Sequence, residues 1–430
     1  MHRPALRRSI QPLATRNYRF LISAVALQVF GTGVWSIVMV FQVLALNDSP
    51  VVLSGVAAAM SLGLLLFSVV GGVVADRFDR RRTIIVVQGA TAAVMTITAS
   101  LALAGAIQLW QVAMAAFCLG AGSAFFYPAY SSYLPRVLPP EQLLAANGLE
   151  GAVRPTFGQG LGPALGGIVV GAFFPGAGAV LVAAAHLAAF VLTLFLSRAE
   201  TPASTSDGSA ERTSVREDLR AGIGYVLRTR WLLWTLIFGS ANALIIQGPI
   251  EVLLPFITRQ HFADPEATYG FLMAGYGVGG AVGSLIVSAM RLPGRYLTFM
   301  LACWGGGTLP LVVIGAAEHQ APMLVALFVA GAATSGGVVI WGTLLQRLVP
   351  PEMIGRVASL DFFVSIAFMP VSIAIAGPLS LVIPVDVIFL LAGLLPPVFA
   401  LVAMVAGRMN ATQVANPLDV GSEGGRTREG

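Results

Sequence analysis

The chain has no lysine: all 25 basic residues among its 430 are arginine. Chemistry that runs through a lysine Schiff base is therefore excluded. Charge of either sign is scarce at 10% of residues, whereas a soluble domain carries about 25%. Hydrophobic residues make up 57% and the mean hydropathy is +0.83. So apolar a chain cannot cover itself for water, and it reads as an integral membrane protein. Cysteine is limited to Cys118 and Cys303. Both lie in apolar runs with no Cys or His at ligand spacing, so neither a disulfide framework nor a metal site is expected. Both read as small core residues. A phosphate-binding Gly-x-x-x-x-Gly-Lys loop is missing too, which excludes an ATP-driven pump of that type. No sizeable soluble domain is present, which speaks against a non-transporting scaffold or sensor, and nothing in the sequence suggests an enzyme or a cofactor.

Uncharged sequence is what the chain has in abundance. A helix needs about 20 apolar residues to cross a bilayer. Runs of that length predict spans 1 (20–46), 2 (51–75), and 3 and 4 (83–135, turning at Gly105-Ala-Ile-Gln108). Spans 5 and 6 share 155–197, broken at Phe174-Pro175-Gly176. Spans 7 to 12 follow at 231–258, 267–290, 296–317, 321–348, 354–383 and 387–407. The first run follows Arg3, Arg7 and Arg8 but is too long for a signal-peptide core, so it is expected to be a retained helix.

The arginines test this count. Alternate loops place 23 of the 25 on one side. The exceptions are Arg259, on the opposite side, and Arg154, inside a span. Positive residues mark the cytoplasmic side. Both termini are therefore expected in the cytoplasm of a bacterium, with the chain crossing its plasma membrane many times. Arginines spent on topology do not form a nucleic-acid surface, and no nucleic-acid partner is expected. Ala199–Ser214 is polar and reads as a solvated linker. In Val215–Arg228, Val215, Leu219, Ile223 and Val226 recur at helical spacing, which reads as an amphipathic helix on the cytoplasmic face. The expected organisation is a six-helix bundle (1–198), a linker with its helix (199–229), a second six-helix bundle (230–410) and a disordered tail (411–430).

The two halves are related. Residues 134–150 align without a gap to 345–361 at a constant offset of 211. Arg136, Pro139, Pro140, Glu141 and Leu149 meet Arg347, Pro350, Pro351, Glu352 and Leu360. Proline suits a first helical turn, and a glutamate beside it favours the positive helix end. Spans 5 and 11 should therefore start alike, as in transporters built from two parallel repeats.

Two motifs carry a resemblance. Gly71, Asp76, Arg77, Arg80 and Arg81 follow the pattern Gly-x-x-x-x-Asp-Arg-x-x-Arg-Arg between spans 2 and 3. Gly158, Gly162, Pro163, Gly166 and Gly167 follow Gly-x-x-x-Gly-Pro-x-x-Gly-Gly in span 5. The chain thus resembles the major facilitator superfamily, in its signature loop and its antiporter motif. Within that superfamily it looks most like the branch with macrolide-efflux and siderophore-export proteins. The resemblance implies an all-α membrane fold of twelve helices in two bundles, with spans 5 and 8 meeting across the halves and span 2 meeting span 11. It implies export of a bulky amphipathic small molecule against protons, by a monomer in the bilayer. An uptake symporter on the same scaffold, or a non-transporting sensor, is the alternative. The arginine that drug antiporters often carry early in span 4 is absent from the apolar 116–120 stretch; Arg154 is the candidate to replace its charge.

Four ionisable residues fall inside or beside spans: Glu150, Arg154, Glu251 and Asp361. Such residues are functional candidates, because facing lipid would be costly. Glu150 and Arg154 are one turn apart and can pair. Glu150 and Asp361 are equivalent through the repeat, so they form either a symmetric proton site or polar groups that close the cytoplasmic half of the cavity. Glu251, with Asn242 and Gln247 before it in span 7, is the candidate proton or cationic-substrate site. Tyr127 and Trp35 are candidates for lining a pocket, against a role in packing. His186 reads as a core histidine with its hydrogen bonds made. Asp76 is expected to face the start of span 11 near Arg356 and to latch the outward-facing state. Asp76→Asn should therefore slow transport of a given substrate while leaving its affinity little changed. Transport assays across a substrate panel test this; an altered substrate range would contradict it.

Overall fold

The computed structural model describes residues 11–197, 215–290 and 292–417; the side chains of residues 76, 144, 215–219 and 351 are not described. The polar linker and the end of the tail lie outside the described residues. Among the described residues all regular structure is helical. The first half comprises α1 (Arg16–Leu46), α2 (Pro50–Arg77), α3 (Arg80–Leu103), α4 (Leu109–Val137), α5 (140–172) and α6 (Pro175–Leu194). The linker helix, Val215–Arg228, precedes α7 (Arg230–His261), α8 (Pro265–Ala289), α9 (Tyr296–Ala316), α10 (Gln320–Leu348), α11 (Glu352–Ser380) and α12 (Val385–Ala406). Eleven of the twelve are long and apolar enough to cross a membrane. The other, α5, has its length divided by a π segment. Apolar side chains such as Leu285, 70% exposed, face outward, as a bilayer requires and water would not.

Local chemistry sets the ends. The Asp79 carboxylate accepts a hydrogen bond from Arg82 N at 2.7 Å and caps α3. Gly105 takes φ +65° in the turn between α3 and α4. Gln108 and Gln111 close a reciprocal cap on α4. Prolines 50, 140, 175, 265 and 351 stand at helix starts, where a missing N–H costs nothing. Two sequence boundaries need correction. Span 5 begins at Pro140 rather than near 155, because Glu150 and Arg154 neutralise one another within the helix. Order also continues past 411: Met409–Ala415 is helical. Met409 is fully buried, Gln413 Oε1 accepts from Thr298 N at 3.1 Å, and Asn416 O accepts from the Tyr296 hydroxyl at 3.0 Å.

The halves meet along α5 against α8 and α2 against α11. The α2 contact lies at the end opposite the arginine-rich loops. Gly377 packs against the Pro50 carbonyl, and the Ser54 hydroxyl reaches Ala374 O at 3.3 Å. There Arg259 also pairs with Asp48. These two residues are 211 apart, so equivalent points of the repeat touch across the halves. Toward the arginine-rich end, Pro140–Val153 of α5 packs within its own half. The molecule is closed at one end and parted at the other.

Glycine makes the closure possible. A Cβ at Gly270 of α8 would lie 2.6 Å from the Pro163 carbonyl oxygen and 2.9 Å from Gly167 Cα. Backbones can approach this closely only without side chains. Gly270→Val should therefore oppose the closed contact by about 1–3 kcal/mol, the usual cost of overpacking. Spin-label distances between cysteines placed at Asn47 and Ala263 should lengthen; an unchanged distribution would contradict this.

Candidate functional site

Three clusters surround the ionisable residues. In the first, Arg154 Nε donates to Glu150 Oε1 at 2.6 Å, and a second guanidinium nitrogen closes the ion pair. The guanidinium carbon sits 4.3 Å from the centre of the Tyr127 ring, a cation–π arrangement. Tyr130 of α4, 2% exposed, lies beside Glu150 with its hydroxyl unpartnered. Tyr18 of α1 is nearby and donates to Ala146 O at 3.1 Å. The spacing of one turn on α5 predicts the pair; the aromatic seat comes from two other helices.

Arg154 opens the π segment Arg154–Leu161, where Gly162 N bonds five residues back to Phe157 O. Pro155 supplies no N–H to the α-helical ladder, and the widened turn follows. A second π segment, Pro249–Leu253 of α7, also starts at a proline, with Leu254 N bonded to Pro249 O. It carries Glu251. Such widened turns recur at functional sites.

Glu251 has no hydrogen bond or ion pair to another described residue. Its neighbours are Tyr269 and Tyr276 of α8. Tyr269 also meets Phe41 of α1 edge-on, ring centres 6.2 Å apart. The π segment contacts α2 as well, so Glu251 sits where the second half touches the first. Gln247, half-buried, lies one turn earlier, and Asn242 keeps a buried Oδ1 without a partner. Trp35, 2% exposed in α1, has an indole N–H in the same state. Unpaired buried polar atoms are uncommon, and these suit a site that takes water or ligand.

In the third cluster, Trp341 Nε1 of α10 donates to Asp361 Oδ2 at 2.9 Å, and Ser365 stands one turn beyond the acid on α11. Glu150 and Asp361 are thus equivalent in position but not in partners.

The two motifs divide their work. Gly158, Gly162 and Gly166 turn to α1, where a Cβ would come within 3.3, 2.8 and 3.2 Å of the carbonyls of Val29, Phe30 and Val34. Gly167 and the Pro163 carbonyl turn to α8 instead, while the Pro163 ring lies against Gly33 of α1. Gly71 lets α2 rest on the Ala124 backbone of α4. Arg81 Nε donates to Leu196 O at 2.5 Å and Nη2 to Leu194 O at 3.4 Å, holding the C-terminal end of α6. Arg77 is exposed, and Arg80 Nε is buried without a partner. The Asp76 side chain lies outside the description. Arg356 donates to Met353 Sδ at 3.5 Å and lies against Gly222 of the linker helix. His186 departs from expectation: it is fully buried against Gly31, and neither ring nitrogen has a partner. Sequence reasoning missed Tyr269 and Tyr276 as neighbours of Glu251, since nothing in their spacing links α8 to α7. It also missed the Asp48–Arg259 pair, although the shared offset of 211 could have found it.

Two helical bundles meeting over half-buried acids suit a membrane transporter. The chain belongs to the Major Facilitator Superfamily, whose model matches residues 21–365. It is 31% identical to the MFS-type transporter y4rN of Sinorhizobium fredii over 66% of this chain and 68% of that one. It is 27% identical to the multidrug efflux pump Tap of Mycolicibacterium fortuitum over 81% and 86%. Macrolide efflux protein A of Streptococcus pyogenes is 23% identical over 86% and 91%. Among solved structures, a variant of the nucleoside transporter NupG superposes with a TM-score of 0.71 at 11% identity, covering 91% of this chain and 99% of that one. A bacterial homologue of ferroportin in an inward-facing state gives 0.69 at 18%, covering 90% and 98%. At these identities both define the fold alone.

Removing one partner of a partly buried ion pair strands the other. Arg154→Gln should therefore lower stability by about 1–3 kcal/mol, seen as a lower unfolding temperature of the purified protein. Adding Glu150→Gln should recover most of the loss. Equal stability of the single variant and the wild type would show that the pair carries no structural weight.

Proposed function

We propose that the protein exports a bulky amphipathic small molecule across the bacterial plasma membrane in exchange for protons, by alternating access. The observation that carries this reading is Glu251. It is an acid without a cation beside it, on a widened turn of α7, at the contact between the halves. When the cavity dries around it, such a carboxylate is favoured neutral; when water returns, it can release its proton. That alternation is what proton coupling requires. The glycine contacts of α5 on α1 and α8 support the export direction, since all five positions of the antiporter pattern are present. The printed functions of Tap and macrolide efflux protein A support it too. With the arginine-rich end cytoplasmic, the parted end would face inward, ready to take up substrate. Asp76 and Arg356 would meet when that end closes, and the chain would work as a monomer.

Proteoliposomes with an imposed pH gradient test the proposal. Substrate should move against the proton flow in the wild type. Glu251→Gln should abolish pH-driven accumulation while keeping substrate exchange near the wild-type rate. Substrate moving with the protons, as in uptake symport, or full coupling in Glu251→Gln, would overturn the reading.

A further inference from the structure

We infer that Asp361 and the aromatic cluster around Trp341 form the seat for the cationic group of a transported organic cation, an inference that rests on the export reading. The repeat supplies the argument. At the offset of 211, Glu150 maps to Asp361, Tyr130 to Trp341 and Arg154 to Ser365. The acid on the odd helix and one aromatic ring on the even helix, Tyr130 or Trp341, survive in both halves, whereas Tyr127 maps to Val338. The cation does not.

In the first half the acid is satisfied from within, by the guanidinium of Arg154 lying over the Tyr127 ring. The residue one turn past Asp361 is a serine. Asp361 receives the Trp341 indole N–H, at 2.9 Å on Oδ2, and the Ser365 hydroxyl, and no ion pair joins it to a described residue. Neutral donors alone compensate a carboxylate poorly in a low-dielectric setting. The first half thus displays, in Arg154, the chemistry that the second half lacks: a flat or delocalised cation set between a carboxylate and aromatic rings.

The surroundings fit such a guest. Trp341 packs against Trp304, ring centres 6.2 Å apart at 55°, and against Trp231 at 6.2 Å and 68°. Trp304 stacks on Phe238 at 6.3 Å and 23°. Aromatic faces attract weakly hydrated cations. Asp361 is half-buried, and Phe362 and Phe363 beside it are exposed, on the stretch of α11 that leads to the parted, arginine-rich end. The carboxylate therefore stands on the side from which substrate would enter, with apolar walls for the body of an amphipathic molecule.

Binding to the full-length protein in lipid nanodiscs tests this, with radiolabelled tetraphenylphosphonium as probe and triphenylphosphine oxide as its neutral counterpart. The wild type should hold the cation at least about tenfold more tightly than the neutral compound, the scale of one desolvated cation–π and charge contact. Asp361→Asn should abolish that preference, and Asp361→Glu should restore most of it. Ser365→Arg should rebuild the internal pair of the first half and exclude the cation, while raising or keeping the unfolding temperature. Cation binding is measured without a pH gradient and pH-driven accumulation is measured separately in proteoliposomes, so a failure of proton coupling is distinguishable from a failure of this site. A wild type that does not discriminate the two probes, or cation binding unchanged in both Asp361→Asn and Ser365→Arg, overturns the inference.

Discussion

A bilayer core offers no water to a charge or to an unpaired backbone group, and the structure of this protein follows from that constraint. Nearly all arginine is kept to one set of loops. Of the charges inside the spans, one pair neutralises itself on α5. The remaining acids, Glu251 and Asp361, are given neutral neighbours. Trp341 offers Asp361 an indole N–H, tyrosines stand near Glu251, and neither acid has an ion pair among the described residues. Such acids are costly in a static structure.

The same constraint governs how the helices meet. Without a hydrophobic force between helices in lipid, packing rests on close backbone approach. Glycines on α5 serve two faces at once: Gly158, Gly162 and Gly166 bind α1 within the first half, and Gly167 faces Gly270 across the halves. One contact holds a bundle together, and the other joins the two bundles at the closed end. The Asp48–Arg259 pair there is exposed, 73% at the aspartate, and an exposed pair adds at most about 1 kcal/mol. The closed end thus depends on shape more than on charge.

Proline places the polar groups. Pro155 and Pro249 each interrupt an α-helical ladder, and the resulting π turns carry Arg154 and Glu251 to the middle of α5 and α7. A third π segment, Ala302–Gly306 of α9, holds Trp304, which packs on the ring that binds Asp361. Local backbone widening therefore accompanies each of the three polar clusters.

The membrane class and the all-helical fold were legible in the sequence, because they depend on composition and run length. So was the Glu150–Arg154 pair, because a helix puts residues four apart on one face. The sequence did not reveal which aromatic rings meet which acid. Tyr269 reaches Glu251, and Trp341 reaches Asp361, only through the packing of separate helices. Nor could it show that His186 would be left without partners, or that the antiporter glycines face two ways. A single chain records which residues are polar within each helix. Which of them face each other depends on the rotation and approach of helices in space, and that only the tertiary structure decided.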